Sequence, residues 1–202
     1  MDLSDPTMSC LLEDIPYRSS SAGGLLGTTP VICGGAKYDG GWIYFNECLL
    51  HGTSQLITMN SKRRHHSSVA LNSSMLMLLG GRDGNNYLAS TELITIDGTV
   101  NGPTLPEAVR GSCTVKFPDN GLVYLIGGNT ASGYTNNVWV ANPSNEFTFT
   151  PGPSLITARS YFGCGTMSIG TKSIIVAAGG LPGPLSSVEI LDPLSNQWVV
   201  GK

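Results

Sequence analysis

The sequence predicts an all-β fold built from four four-stranded units, and three observations carry that prediction. Charged residues make up only 12% of the 202-residue chain, which also holds 26 glycines and 12 prolines. That is a composition of short strands and turns rather than of helices. A double glycine closes a short apolar run four times, in VICGG, LMLLGG, VYLIGG and IVAAGG. These pairs end at Gly35, Gly81, Gly128 and Gly180, at intervals of 46, 47 and 52 residues. An arginine keeps step with them, since Arg18, Arg64, Arg110 and Arg159 are spaced by 46, 46 and 49 residues. Two markers sharing one period indicate repeated supersecondary units.

The units divide the chain at 16–60, 61–105, 106–153 and 154–202. In each, the arginine precedes a segment of small residues, predicted as a first strand near 18–24, 64–71, 110–116 and 159–167. A turn follows, and then the apolar run ending in the glycine pair. Such a run, apolar at every position, suits a strand buried on both faces. Glycine at its end permits a positive φ and a close backbone approach. After a variable loop comes a third strand (ECLL, TELITI, NNVWVA, SVEIL), a turn, and a short fourth strand (QLITM, a stretch near Val100, FTFT, QWVV). Four strands per unit at this spacing match the blades of a β-propeller. Small first-strand residues fit the crowded axis where blades converge. No segment sustains a 3.6-residue apolar period, which argues against crossover helices. Residues 1–15 read as a turn and fourth strand, the tail of a preceding blade, because LSDPTMSCLLEDIPYR resembles LDPLSNQWVV near the other end.

These residues resemble the kelch repeat, whose pattern is an apolar run, a double glycine, a later tyrosine and a tryptophan near the fourth strand. The resemblance is clearest in the third unit (Gly127, Gly128, Tyr134, with Phe147 at the tryptophan place) and the fourth (Gly179, Gly180, Trp198). The second unit keeps Gly80, Gly81 and Tyr87 but lacks the tryptophan. In the first, Gly34 and Gly35 are followed by Trp42 and Tyr44. Kelch propellers usually have six or seven blades. The resemblance therefore implies that four units are an incomplete ring with an open arc and exposed apolar faces at its ends.

Composition and pattern exclude several functions. The net charge of −3 offers no broad basic field for nucleic acid. No apolar run approaches the ~20 residues of a membrane-spanning helix, and the N-terminus lacks the pattern of a signal peptide. No CxxC occurs among Cys10, Cys33, Cys48, Cys113 and Cys164, so no zinc site or other metal site is expected, and no cofactor. Cys33 and Cys48 bracket neighbouring strands. They read either as two buried thiols or as a disulfide formed in an oxidising compartment. Cys113 and Cys164 read as small residues on the first strands, and the odd count leaves at least one thiol unpaired. His65 and His66 are adjacent on a predicted strand and so point to opposite faces. Asn72-Ser73-Ser74 is a glycosylation sequon in a predicted turn. No catalytic constellation stands out.

A binding surface remains. The loop before the first strand and the loop after the second lie at one end of each unit, because those strands are antiparallel. That face gathers Arg18, Arg64, Arg110 and Arg159 with the loops at 37–41, 82–86, 129–135 and 181–185, including Arg82, Asp83, Asn129 and Tyr134. Some of the arginines are expected merely to start strands and to bond to the neighbouring blade. The family resemblance implies a non-enzymatic protein-interaction module that binds a protein or peptide. The alternative is an enzyme on the same scaffold, an oxidase or a carbohydrate-active protein. The compartment, cytoplasmic or extracellular, stays open.

Overall fold

The computed structural model describes residues 17–145, 147–192 and 194–201. The tail expected at 1–15 lies outside them. Among the described residues the chain forms strands and turns and no helix.

Each unit yields one four-stranded antiparallel sheet. The first sheet takes β1 (Ala22–Leu26) and β2 (Thr29–Cys33). A small ribbon of β3 (Ala36–Tyr38) and β4 (Trp42–Tyr44) then projects from the loop. The sheet closes with β5 (Glu47–Leu50) and β6 (Leu56–Thr58), in the order β1-β2-β5-β6. The second comprises β7 (Ser67–Asn72), β8 (Met75–Leu79), β9 (Thr91–Thr95) and β10 (Gly98–Asn101). The third comprises β11 (Cys113–Lys116), β12 (Val123–Thr130), β13 (Gly133–Ala141) and β14 (Phe149–Pro151). The fourth comprises β15 (Gly163–Ile169), β16 (Lys172–Ala178), β17 (Val188–Asp192) and β18 (Gln197–Val200). In these three, spatial order follows chain order. The first strands begin three to four residues beyond the marker arginines, which therefore lie in the approach to each strand rather than in it.

The cores lie between successive sheets. One cluster joins Leu26, Val31 and Ile57 of the first to Leu76, Leu78 and Ile94 of the second. A second joins Met77 and Leu79 to Val123, Leu125 and Phe149. A third joins Tyr124, Ile126 and Val138 to Ile175, Leu191 and Trp198. The second strands are thus apolar on both faces for a reason. Consecutive side chains alternate faces, and each face packs on a different neighbour. Leu76 to Leu79 are all fully buried. First strands of successive sheets are adjacent, β1 to β7, β7 to β11 and β11 to β15. Small polar residues knit them there, as in the 2.6 Å bond between the Ser67 and Thr114 hydroxyls.

The glycine pairs form the joints between sheets. All eight glycines have positive φ, from 55° at Gly127 to 119° at Gly128. The second glycine of each of the first three pairs donates its N–H to a carbonyl of the following unit: Gly35 to Arg63, Gly81 to Val109 and Gly128 to Arg159, each at 2.8 Å. That carbonyl sits where a side chain would be on the first glycine. A Cβ on Gly34 would lie 2.3 Å from the Arg63 oxygen, on Gly80 2.4 Å from Val109, and on Gly127 2.6 Å from Arg159. The fourth pair has no such visitor among the described residues; the nearest atom to a Gly179 Cβ is the Leu185 oxygen at 3.5 Å.

This contrast is testable. Gly80→Ala should lower stability by about 3 kcal/mol or more, combining left-handed strain with a backbone clash. Gly179→Ala, with φ of 72° but no close carbonyl, should cost only about 1 to 2 kcal/mol. Urea midpoints of the two variants measure the difference, and equal losses would contradict the role given to the joint.

Candidate functional site

The arginines separate into two kinds. Arg159 turns inward: its Nη1 donates to the carbonyls of Gly179 and Ser187 at 2.9 and 3.1 Å, and its Nη2 reaches Glu189 Oε1 at 2.6 Å. Arg63 repeats every contact, with Gly80 and Ser90 carbonyls at 2.7 and 3.2 Å and Glu92 Oε1 at 2.5 Å. Arg18 bonds the Gly34 and Glu47 carbonyls, both at 3.3 Å, and Glu47 Oε1 at 2.7 Å. The carboxylates hold the approach segment as well. Glu92 accepts the N–H groups of Asn60 and Ser61, and Glu189 those of Ile156 and Thr157. Each guanidinium thus satisfies strand-end carbonyls of its own unit, not of the neighbouring one as the sequence suggested, because its approach segment runs beside the end of its own second strand.

Two sequence expectations are corrected here. The residue equivalent to Arg18 and Arg159 is Arg63, not Arg64, and in the third unit it is Val109, not Arg110. The joint bonds from Gly35, Gly81 and Gly128 identify these positions. Arg18 and Arg159 are committed to internal bonds, and their side chains are 3% and 0% exposed. They are structural rather than members of a shared ligand surface.

Arg64 and Arg110 stand one residue later, at the place of Ser19 and Ser160. There each unit makes a short bridge across its own loop: Ser19 to Ala36, Arg64 to Arg82, Arg110 to Asn129, Ser160 to Leu181. Their side chains are half-buried against aromatic faces. The Arg64 guanidinium lies 4.7 Å from the Trp42 ring centre and 5.0 Å from that of Tyr44; Arg110 lies 5.1 Å from Tyr87 and 5.9 Å from Tyr161. Trp42 and Tyr44 come from β4, so the ribbon in the first loop brings the rings to Arg64. The Tyr87 hydroxyl donates to Asn129 Oδ1 at 2.9 Å, joining the second and third loops. Among the described residues, Arg64, Arg82 and Arg110 make no ion pair and no side-chain hydrogen bond. Of the other expected residues, Asp83 is exposed and caps its own turn by accepting the Asn86 N–H. Tyr134 is 42% exposed opposite Asn129 on the β12–β13 hairpin.

Between these arginines lies a polar mouth. Ser20, His65, Gly111 and Tyr161 follow the bridge residues and adopt φ of 59°, 55°, 60° and 53°. Their backbones bond from unit to unit, with His65 N–H to Ser20 O, Gly111 N–H to His65 O and Tyr161 N–H to Gly111 O. His65 and His66 are therefore not on a strand, as the sequence suggested; they form the bend that precedes β7. The same four residues, with Ser21, His66 and Ser112, line a cavity of about 330 Å³. Burial, and then the charges of Arg64, Arg110 and Arg82, push the His65 imidazole down to about 4. It stays neutral at physiological pH and adds no charge to those of the guanidiniums. Burial raises the Tyr161 phenol, with the same arginines opposing. Both phenol and imidazole are thus neutral hydrogen-bonding groups at the mouth. Among the described residues no three His, Cys, Asp or Glu side chains cluster as a metal site would require.

The cysteines differ from one sequence expectation. Cys33 and Cys48 are opposite one another on β2 and β5 and are bonded, with Cα atoms 3.9 Å apart. Cys113 and Cys164, read from sequence as small first-strand residues, form a second disulfide across the third and fourth sheets, with Cα atoms 6.0 Å apart. The adjacency of β11 and β15 makes the bond geometrically accessible. Cys10 lies outside the described residues.

Compared with known proteins, the chain matches no family model and no curated sequence.

Two outcomes follow. Glu92→Ala strands a buried guanidinium and should cost about 3 to 5 kcal/mol, whereas Arg64→Ala should shift stability by less than about 1 kcal/mol; chemical denaturation of both variants checks the division. The second concerns acid. Burial, the Arg63 charge and His65 push the His66 imidazole down to about 3. Unfolded His66 takes up a proton below about pH 6.5, and folded His66 only near pH 3. Stability should therefore fall as pH drops through that window, by up to about 1.4 kcal/mol per pH unit. Phe162 occupies the corresponding place beside Gly180, as His66 does beside Gly81. His66→Phe should therefore fold and flatten the pH dependence of the urea midpoint.

Proposed function

We propose that the chain is part of a kelch-type β-propeller, acts as a non-enzymatic protein-interaction module, and binds an acidic segment of a protein or peptide at its loop face. Four antiparallel sheets with adjacent first strands and cores between successive sheets support the propeller reading. The repeated double-glycine joints and the backbone chain through Ser20, His65, Gly111 and Tyr161 support it further. An arc of four such sheets would leave a face of its end sheet uncovered, in keeping with Met167 and Ile169 on β15 of the fourth sheet at 54% and 60% exposed.

The observation that carries the binding reading is the group of Arg64, Arg82 and Arg110. Three guanidiniums with no carboxylate partner among the described residues, two of them over aromatic rings, lie close to His65 and Tyr161 at a polar mouth. A stacked guanidinium is held in place while its N–H edge stays available, so little freedom is lost when it takes a carboxylate bidentately. The aromatic rings offer apolar surface beside it, and arginine and tyrosine dominate the strong contacts of interfaces. Asn129, Tyr87, Tyr134 and the mouth serines supply hydrogen bonds for a peptide backbone. By contrast Arg18, Arg63 and Arg159 hold the scaffold.

The test is a peptide array with Asp- or Glu-rich sequences and their Asn/Gln counterparts, followed by titration of the best binder. Binding should favour the acidic series and weaken with salt. Arg64→Ala and Arg110→Ala should each lose about tenfold or more, about 1.4 kcal/mol, with the urea midpoint kept. Equal binding of neutral counterparts, or unchanged affinity in both variants, would refute this reading.

A further inference from the structure

We propose that Asn72 carries an N-linked glycan. The sequon Asn72-Ser73-Ser74 is the hairpin turn between β7 and β8, and Asn72 is exposed. The turn is shaped by the sequon itself: Asn72 Oδ1 accepts both the N–H and the hydroxyl of Ser74, at 2.9 and 3.0 Å. Ser73 is held through its carbonyl, which accepts the Gly27 N–H of the preceding sheet. With Oδ1 engaged, the amide nitrogen is the group left to solvent. An exposed turn tip is also where a bulky modification is tolerated.

An independent observation supplies the compartment. Four cysteines are paired in two disulfides, one within a sheet and one between sheets. Disulfides persist where the environment is oxidising, and the secretory route that provides it also glycosylates sequons. Asn72 is the only Asn-X-Ser/Thr site with X other than proline, since Asn142-Pro143-Ser144 is barred by Pro143. The position also spares the proposed binding face. β7 runs away from the His65–His66 bend toward Asn72, so a glycan stands at the opposite end of the sheet from Arg64 and the mouth. Beside it an open groove of about 520 Å³, lined by Met75, Leu93, Lys116 and Phe147 among others, leaves room for the first sugars.

The co-reactant is a lipid pyrophosphate-linked oligosaccharide. The Asn72 amide nitrogen forms a bond to the anomeric carbon, the bond from that carbon to the pyrophosphate oxygen breaks, and the amide gives up one proton.

The experiment expresses the full chain behind a secretion signal in eukaryotic cells and measures its intact mass before and after peptide N-glycosidase. The expected result is one heavier species that collapses on treatment and deamidates Asn72. Asn72→Gln and Ser74→Ala should abolish the shift, and Ser74→Thr, which keeps the sequon, should retain it. A secreted, folded wild-type chain of unmodified mass would overturn the proposal, as would a shift that persists in Asn72→Gln.

Discussion

The fold depends on one contact, the backbone carbonyl of one unit seated on the first glycine of the unit before. It is possible only where two conditions are met together. The glycine must have no Cβ, because the oxygen occupies its place, and the chain must turn through positive φ so that the next residue can donate to that oxygen. The second glycine is confined in the same way by its own unit: a Cβ on Gly81 would lie 2.7 Å from the Arg64 oxygen, and one on Gly180 2.6 Å from the Ser160 oxygen. A single residue type answers both demands. The buried arginine completes the joint by bonding the first glycine's carbonyl, which the left-handed turn leaves pointing inward.

From this joint the two classes of cation follow. A guanidinium that fills strand-end carbonyl sites must be buried, and burial requires a carboxylate. Hence Glu47, Glu92 and Glu189 accompany Arg18, Arg63 and Arg159. The next residue faces the other way, toward the loop, where no strand-end carbonyl needs satisfying. Arg64 and Arg110 lie there over aromatic rings. The third unit dispenses with the buried pair and puts Val109 at the joint, with no loss of the bond from Gly81. The carbonyl is therefore indispensable to the joint, and the arginine side chain is its commonest reinforcement. That the charge can be left out agrees with the high desolvation cost of any buried ion pair.

Much of the architecture was legible in sequence because periodicity reports backbone demands directly. The glycine pairs, the apolar second strands and the four units each map onto one sheet. The register of the arginines was not legible, for a specific reason. Arg63 and Arg64 are adjacent, and the third unit offers only Arg110, so aligning the pattern on arginine selects the wrong residue in both units. Only the hydrogen bonds from Gly35 and Gly81 reveal the offset. The disulfide between Cys113 and Cys164 was hidden because the residues are separated by 51 positions. Their proximity arises from sheet-to-sheet packing, which no local pattern reports. His65 and His66 were misplaced because their polar neighbours resemble those of a strand, while the left-handed turn at His65 has no glycine to announce it. In the third unit the same turn does have one, Gly111. The cluster of aromatic rings around Arg64 has no signature in the repeat pattern because it depends on the β3–β4 ribbon in the loop of the first unit.

The fourth unit shows which side of the joint sets its shape. Gly179 and Gly180 hold φ of 72° and 100°, close to the 61° and 97° of Gly80 and Gly81, although no carbonyl of a further unit is seated on Gly179 among the described residues. The left-handed turn is therefore imposed from within the unit, by the strand pairing of β16 with β15 and β17 and by the Arg159 bonds. An incoming carbonyl finds the turn already made. A preformed acceptor needs no reorganisation when its neighbour docks, so each interface between sheets retains its full favourable contact energy. Stability then accumulates unit by unit, as in other repeat architectures whose members touch only their neighbours. The loop residues are free of that duty. The side chains of Arg64, Arg82 and Arg110 make no bond to a glycine pair among the described residues, so the joints rest on backbone and on the buried arginines alone.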